Sequence, residues 1–255
     1  MRRLAAAALA LLLAGGGAGA ADCLAEVHAR ALAPGAAVAG DWAAWYEEPT
    51  RAYAHGILGT VPDALTLRLA VPGAAGGCTF AAIGSGPEHV FEDTVPRLAD
   101  LDGDGQPEVV AVRSSLSRGA QLAVYGLRAG TLRLLDATPP IGTRFRWLAP
   151  LAPADLDGDG AVELPFVDRP HLAKVLRVWR WRAGALEPVA ELPGLTNHAI
   201  GEELIGGTVR RCGAGAEMVL LSADRTRHVA VRLNRGRLIP RDLGPASGPV
   251  PECAS

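Results

Sequence analysis

The feature that most constrains this chain is a nine-residue stretch that occurs twice. It reads Asp100-Leu101-Asp102-Gly103-Asp104-Gly105-Gln106-Pro107-Glu108, and again Asp155-Leu156-Asp157-Gly158-Asp159-Gly160-Ala161-Val162-Glu163. Each copy sets carboxylates at positions 1, 3, 5 and 9, with Gly105 or Gly160 at position 6. Alternate side chains of a tight loop point inward, Asp is short enough to reach its centre, and glycine supplies a backbone turn that other residues resist. The result is an oxygen cage for a hard cation, best matched by Ca²⁺, which takes six to eight oxygens at about 2.3–2.6 Å. The expected side-chain ligands are Asp100, Asp102, Asp104 and Glu108 in one copy and Asp155, Asp157, Asp159 and Glu163 in the other. The carbonyls of Gln106 and Ala161 complete each set, which leaves the side chain at position 7 free to vary. Two structural Ca²⁺ sites are expected. The alternative is an acidic Asp/Gly turn without metal, and two copies in one register weigh against it.

An EF-hand loop begins in the same way but needs a bidentate Glu at position 12, between two helices. Position 12 here is Ala111 in one copy and Phe166 in the other. The run Glu108-Val109-Val110-Ala111-Val112-Arg113 is rich in β-branched residues and predicts a strand. The loops therefore sit between strands.

The N-terminus has Met1-Arg2-Arg3, an Ala/Leu run to Leu13 and a Gly/Ala stretch to Ala21, the pattern of a secretory signal peptide over residues 1–21. Its apolar run is too short for a membrane span. Residues 22–255 then suit one all-β domain that is periplasmic or secreted, in a bacterium by its Ala/Gly-rich, Arg-over-Lys composition. The formal net charge of −2 becomes two units more negative once Arg2 and Arg3 leave with the leader, which gives no electrostatic case for nucleic acid. Four cysteines in an exported chain suggest two disulfides, with Cys23–Cys78 and Cys212–Cys253 preferred among three connectivities. Without a CxxC or CxxH pair, zinc is the weaker reading.

The chain also repeats on a larger scale. Pro107-Glu108-Val109-Val110 is echoed by Val162-Glu163-Leu164, by Ala216-Glu217-Met218-Val219 and, upstream, by Pro62-Asp63-Ala64-Leu65. After the first three of these come alternating strands joined through Ala129-Gly130, Ala183-Gly184 and Arg235-Gly236, which predict hairpins. With the segment before each loop, such as Arg97-Leu98-Ala99, this makes about four antiparallel strands per repeat, as in a propeller blade. Pro165 removes a ladder donor, so its strand is expected to be bulged or short. A short helix is expected from Leu24 to Leu32.

A DxDxDG loop between the first two strands of a repeat of about 50 residues resembles the FG-GAP/VCBS repeat family, whose best-known relatives are integrin α-chain head domains. The resemblance covers roughly residues 90–190. It implies a β-propeller, here a small one of four to five blades, and places the ten residues above on the family's calcium positions. The first repeat reads His55-Gly56-Ile57-Leu58-Gly59 where the loop is expected, and the last reads Cys212-Gly213-Ala214-Gly215; both lack carboxylates. The segments before residue 50 and around Thr196 to Thr208 are candidates for a fifth blade, closed by pairing of the terminal strands. A β-sandwich with calcium turns is the alternative architecture.

No GxSxG, HExxH, P-loop or dinucleotide fingerprint occurs, and no catalytic residue is assigned. His55 and His198 stand in similar contexts and are expected to share one end of the propeller, as a polar cluster or as structural histidines. Asp168-Arg169-Pro170-His171 is a polar turn, and Trp179 and Trp181 share a strand face as expected of packing between blades. Trp42, Trp45 and Tyr46 are most simply packing residues. The leading functional expectation is a noncatalytic, monomeric binding or adhesion module whose ligand is a protein or a glycan. The alternatives are a polysaccharide lyase or hydrolase, which requires His55, His198 and Asp168 to converge, and a lectin using rim aromatics such as Trp42 or Trp147.

Overall fold

The computed structural model describes residues 27, 29–32, 34–73, 78–213 and 215–253. The leader, Cys23 and most of the expected first helix lie outside them; within that helix, Val27 accepts a backbone hydrogen bond from Ala31 at 3.0 Å. Among the described residues no helix is long and apolar enough to cross a membrane.

The strands form four antiparallel meanders. The first is β1 (Ala36–Ala39), β2 (Trp42–Thr50), β3 (Asp63–Pro72) and β4 (Cys78–Gly84). In the second, β5 (His89–Phe91) and β6 (Arg97–Ala99) share the first-strand position beside β7 (Glu108–Ser115), followed by β8 (Gly119–Arg128) and β9 (Thr131–Ala137). The third is β10 (Leu148–Pro150), β11 (Glu163–Asp168), β12 (Val175–Arg182) and β13 (Ala185–Pro193). In the fourth, β14 (Leu195–Thr196) and β15 (Thr208–Cys212) again share the first position, beside β16 (Gly215–Ser222), β17 (Arg227–Asn234) and β18 (Arg237–Pro245). The first two meanders are joined into one nine-stranded sheet through β5, which pairs Phe91 with Ala64.

The three expected hairpins form as two-residue turns. Ala129, Ala183 and Arg235 have φ of 52°, 49° and 50°, each followed by a glycine at positive φ. Two successive left-handed residues match the twist of the flanking strands. Pro165 lies on β11, which is six residues long against eight in β7 and β16. Its carbonyl accepts from Leu151 at 2.9 Å, and the return bond that Pro165 cannot donate falls just past the end of β10 at Pro150, where the ladder stops.

The strand after each calcium-type loop is buried on both faces, and its alternate side chains feed different cores. Val110 and Val112 of β7 join a cluster with Leu148, Leu164 and Phe166 of the third meander, whereas Val109 and Ala111 join one with Leu67, Leu69 and Tyr46 of the first. On β11, Leu164 and Phe166 face the second meander and Val167 faces Met218 and Val231 of the fourth. The sheets thus stack face to face in chain order. Trp181 is in the core between the second and third meanders and Trp179 packs against it, as expected. Cutting Phe166 to Ala there would cost about 3–5 kcal/mol.

Two expectations about register need correction. The segment His55 to Gly59 joins β2 to β3, so it is a second-to-third-strand connection and not the counterpart of the acidic loops. That counterpart is the tight turn Gly40-Asp41 between β1 and β2. The Pro62-Asp63-Ala64-Leu65 echo misleads because entry into a buried strand looks alike wherever it occurs. Nor do the segments before residue 50 and around Thr196 to Thr208 make a fifth meander: the first pairs with β3, and the second holds the broken first strand of the fourth meander. Among the described residues the first and fourth meanders meet through loops, not terminal strands. Gly201 donates to the Ile57 carbonyl at 3.0 Å, and the Thr60 hydroxyl bonds Glu203.

Candidate functional site

The two acidic loops are built alike, each on a backbone that its first Asp organises. Asp100 accepts from the amides of Gly103 at 2.8 Å and Gly105 at 3.0 Å; Asp155 accepts from Gly158 at 2.7 Å and Gly160 at 3.1 Å. All four glycines have positive φ, from 78° to 88°. Position 4 therefore needs glycine as much as position 6 does, a requirement the sequence reading did not use. The ninth residue anchors the far side: Glu108 accepts from Leu101 at 3.0 Å and Glu163 from Leu156 at 2.8 Å.

This scaffold brings oxygens of Asp100, Asp102 and Glu108 within 4.8 Å of one another, and likewise those of Asp155, Asp157 and Glu163. Asp104 and Asp159 lie outside these groups; their carboxylates accept from the amides of Gln106 and Ala161, the residues whose carbonyls were expected to complete each set. The donors are all hard oxygens, and one of them, Oδ1 of Asp157, is buried without a hydrogen-bond partner. Glu108 and Glu163 are almost fully buried, and burial raises the pKa of each. A buried carboxylate group of this kind calls for positive charge. The residues fit Ca²⁺.

Arginines from the neighbouring strand share that role. In the third meander Arg180, paired across from Glu163, reaches Glu163 at 2.5 Å and Asp157 and Asp159 at 2.8 Å each. In the second meander the matching place is Gly126, where a Cβ would meet Leu135 at 2.7 Å, and Arg128 lies more loosely, 3.4 Å from Asp102. In the fourth, the ninth-position residue is Glu217, which no other carboxylate accompanies among the described residues. Arg210 at 2.7 Å, Arg241 at 3.1 Å and Arg232 at 3.4 Å surround it. Burial raises its pKa, but the Arg210 and Arg241 guanidinium groups outweigh burial and leave it lowered. The expected Cys212–Cys253 disulfide closes the same corner. The other expected pair, Cys23–Cys78, has one member outside the described residues.

Successive strands alternate in direction, so the second-to-third-strand loops gather at the end opposite the acidic loops. There the histidines do come together. His198 Nδ1 lies 3.3 Å from His171 Nε2, and both His55 and His171 line a cavity of about 350 Å³. His198 Nε2 contacts the Glu202 carbonyl at 2.8 Å; a carbonyl only accepts, so that nitrogen carries the proton and Nδ1 accepts from His171. Burial, and then His198, pushes His171 down to about 4, so it is neutral at pH 7.

His55 Nδ1 lies 2.6 Å from Glu92, whose other oxygen accepts from Ser114 at 2.5 Å. Burial raises Glu92, and it pushes Asp63 up to about 7 with help from Glu92. Asp168 does not join this group as the catalytic alternative required: it is buried and bound by Arg169 at 2.7 Å and Arg177 at 3.0 Å. Nor is Trp147 a rim aromatic. It is 2% exposed, donates to the Glu92 carbonyl at 2.9 Å and packs against His171 and His198. Glu92 was missed from sequence because its partner His55 is 37 residues away. Of the Glu217 arginines, only Arg232 had a faint signal, standing 52 residues after Arg180.

Compared with known families, residues 94–164 match the FG-GAP-like repeat, a span that contains both acidic loops. No curated protein matches the chain.

Proposed function

We propose, from the FG-GAP-like repeat over residues 94–164, that this chain is an exported, noncatalytic binding or scaffold module of propeller type, stiffened by two calcium ions. The observation that carries this reading is the duplicated cage, in which three carboxylates converge on one glycine scaffold in two consecutive meanders. Asp100, Asp102, Asp104 and Glu108 would hold one ion and Asp155, Asp157, Asp159 and Glu163 the other, with the Gln106 and Ala161 carbonyls. Bound calcium would supply the charge that lets Glu108 and Glu163 stay ionised while buried. The chain's own part is to hold the first and second strands of each meander in register around that corner. The four meanders would be its blades. The disulfide supports a place outside the cytoplasm, periplasmic or secreted, and a monomer is expected. The ligand would be carried at the opposite mouth or on the rim.

Thermal unfolding in excess calcium and in EDTA tests the metal reading. A ligand present at 100 times its Kd stabilises by roughly 2.7 kcal/mol per site. Superimposable melting curves would remove the calcium assignment.

A further inference from the structure

The cavity at the mouth opposite the acidic loops has a composition that selects a ligand. Its floor and walls include His55, Phe145, Trp147, His171, Leu172 and Ile200, drawn from all four meanders or the segments joining them. At about 350 Å³ it is near the lower end of small-molecule sites, which run from ~300 to 1,000 Å³. Ile200 is 72% exposed and Leu172 62% exposed, so two large apolar side chains are held out at its rim. His55 stacks on Phe145 with ring centroids 4.9 Å apart, and its Nδ1 contact to Glu92 fixes the imidazole.

The charges are one-sided. Arg146 and Arg169 lie in the wall, and the Arg144 guanidinium sits 4.6 Å over the Phe145 ring. Arg169 is satisfied by Asp168. Arg144 bonds only backbone carbonyls, and neither Arg144 nor Arg146 has a carboxylate partner among the described residues. Of the nearby carboxylates, Glu92 is committed to His55 and Ser114, Glu202 to Arg225 and Glu203 to Thr60, and Asp63 lies on the side of Glu92 and His55. An apolar pocket whose wall includes Arg146, without a carboxylate partner among the described residues, suits an anion with an apolar body. Guanidinium favours carboxylate because its planar fork can bond both oxygens.

We propose that this mouth binds a small apolar carboxylate, with one ring or a short branched chain against Phe145, Leu172 and Ile200 and its carboxylate toward Arg146. A sugar fits poorly, because Trp147 offers no exposed face and the wall has few hydroxyl partners. The proposal rests on the reading of the chain as a binding module, and it does not depend on the calcium assignment.

Isothermal titration calorimetry of the mature chain with phenylacetate and 4-methylpentanoate, against 2-phenylethanol and cellobiose, tests it. Both acids should bind saturably at one site, and the alcohol at least tenfold more weakly. Arg146→Gln and, separately, Ile200→Ser should each weaken phenylacetate about tenfold while leaving the melting curve in place, since Ile200 is largely exposed and Arg146 has no carboxylate partner to lose. No saturable acid binding overturns the proposal, as does equal binding of acid and alcohol, preference for cellobiose, or affinity untouched by both variants. Acid binding without a calcium-dependent melting shift would sink the metal reading alone. The shift without acid binding would sink this proposal alone.

Discussion

The third and fourth meanders solve one problem in two ways. Each buries a glutamate at the start of its second strand, Glu163 on β11 and Glu217 on β16, with an arginine directly across on the next strand, Arg180 or Arg232. Around Glu163 the chain adds Asp155, Asp157 and Asp159, more negative charge than Arg180 can neutralise. Around Glu217 it adds Arg210 and Arg241 and a disulfide, and the corner is complete in protein groups. The difference teaches that the buried Glu is the common structural element and that the neutralising cation is what varies. The second meander lies furthest toward the metal solution: Gly126 stands where Arg180 stands, and Arg128 reaches in only to 3.4 Å.

The largest test of that contrast is to disable both acidic loops. Asp100→Asn with Asp155→Asn should remove roughly 5 kcal/mol of stability in excess calcium, at about 2.7 kcal/mol per site, and far less in EDTA. Equal losses in both conditions would mean that the carboxylates act as backbone caps alone. Next, Glu217→Ala leaves three arginines without their carboxylate and should cost about 3–5 kcal/mol in urea unfolding. That cost should be the same with calcium and with EDTA; dependence on calcium would erase the contrast between the two corners. Replacing Cys212 and Cys253 by Ser should then cost about 2–4 kcal/mol, again without regard to calcium.

The smallest expected effects are in pH. Glu217 is held below its ordinary pKa, so its contribution is present above that ordinary value and is lost as pH falls through the folded one. Asp63, at the opposite mouth, has the reverse sign. Its folded pKa of about 7 lies above the ordinary 3.8, so the folded chain binds the extra proton and the contribution of Asp63 to stability declines as pH rises across that window. Asp63→Asn should flatten this decline in an EDTA-treated urea series between pH 4 and 7, at roughly one pKa unit per 1.4 kcal/mol at most and less for a partly exposed group. His171, held down to about 4, contributes the opposite slope in both proteins, so a variant whose slope matches the wild type's would overturn the assignment.

The acidic loops were legible because everything they need lies within nine residues, and carboxylate spacing with glycine at position 6 is a local signal. The hairpins were legible for the same reason, through turns such as Ala129-Gly130 that need two left-handed residues. The register of the first meander was not. Pro62-Asp63-Ala64-Leu65 imitates a second strand, and only its pairing with β2 and β4 shows that it is the third. The mouth was half visible. His55 and His198 were expected to share an end, but Glu92, the stacked Phe145 and the buried Trp147 were not foreseen there.

By itself, then, the sequence determined the duplicated acidic loop and the strand-rich repeat, because these depend on residue type at short spacing, whereas of three possible cysteine connectivities the structure selected Cys212–Cys253. The tertiary structure decided which arginine faces which buried glutamate, that Asp168 belongs to Arg169 and Arg177, and that His55 and His171 border one cavity with His198 against His171. Strand pairing and sheet stacking join residues tens of positions apart, and no local pattern encodes which of several similar strands will be the neighbour.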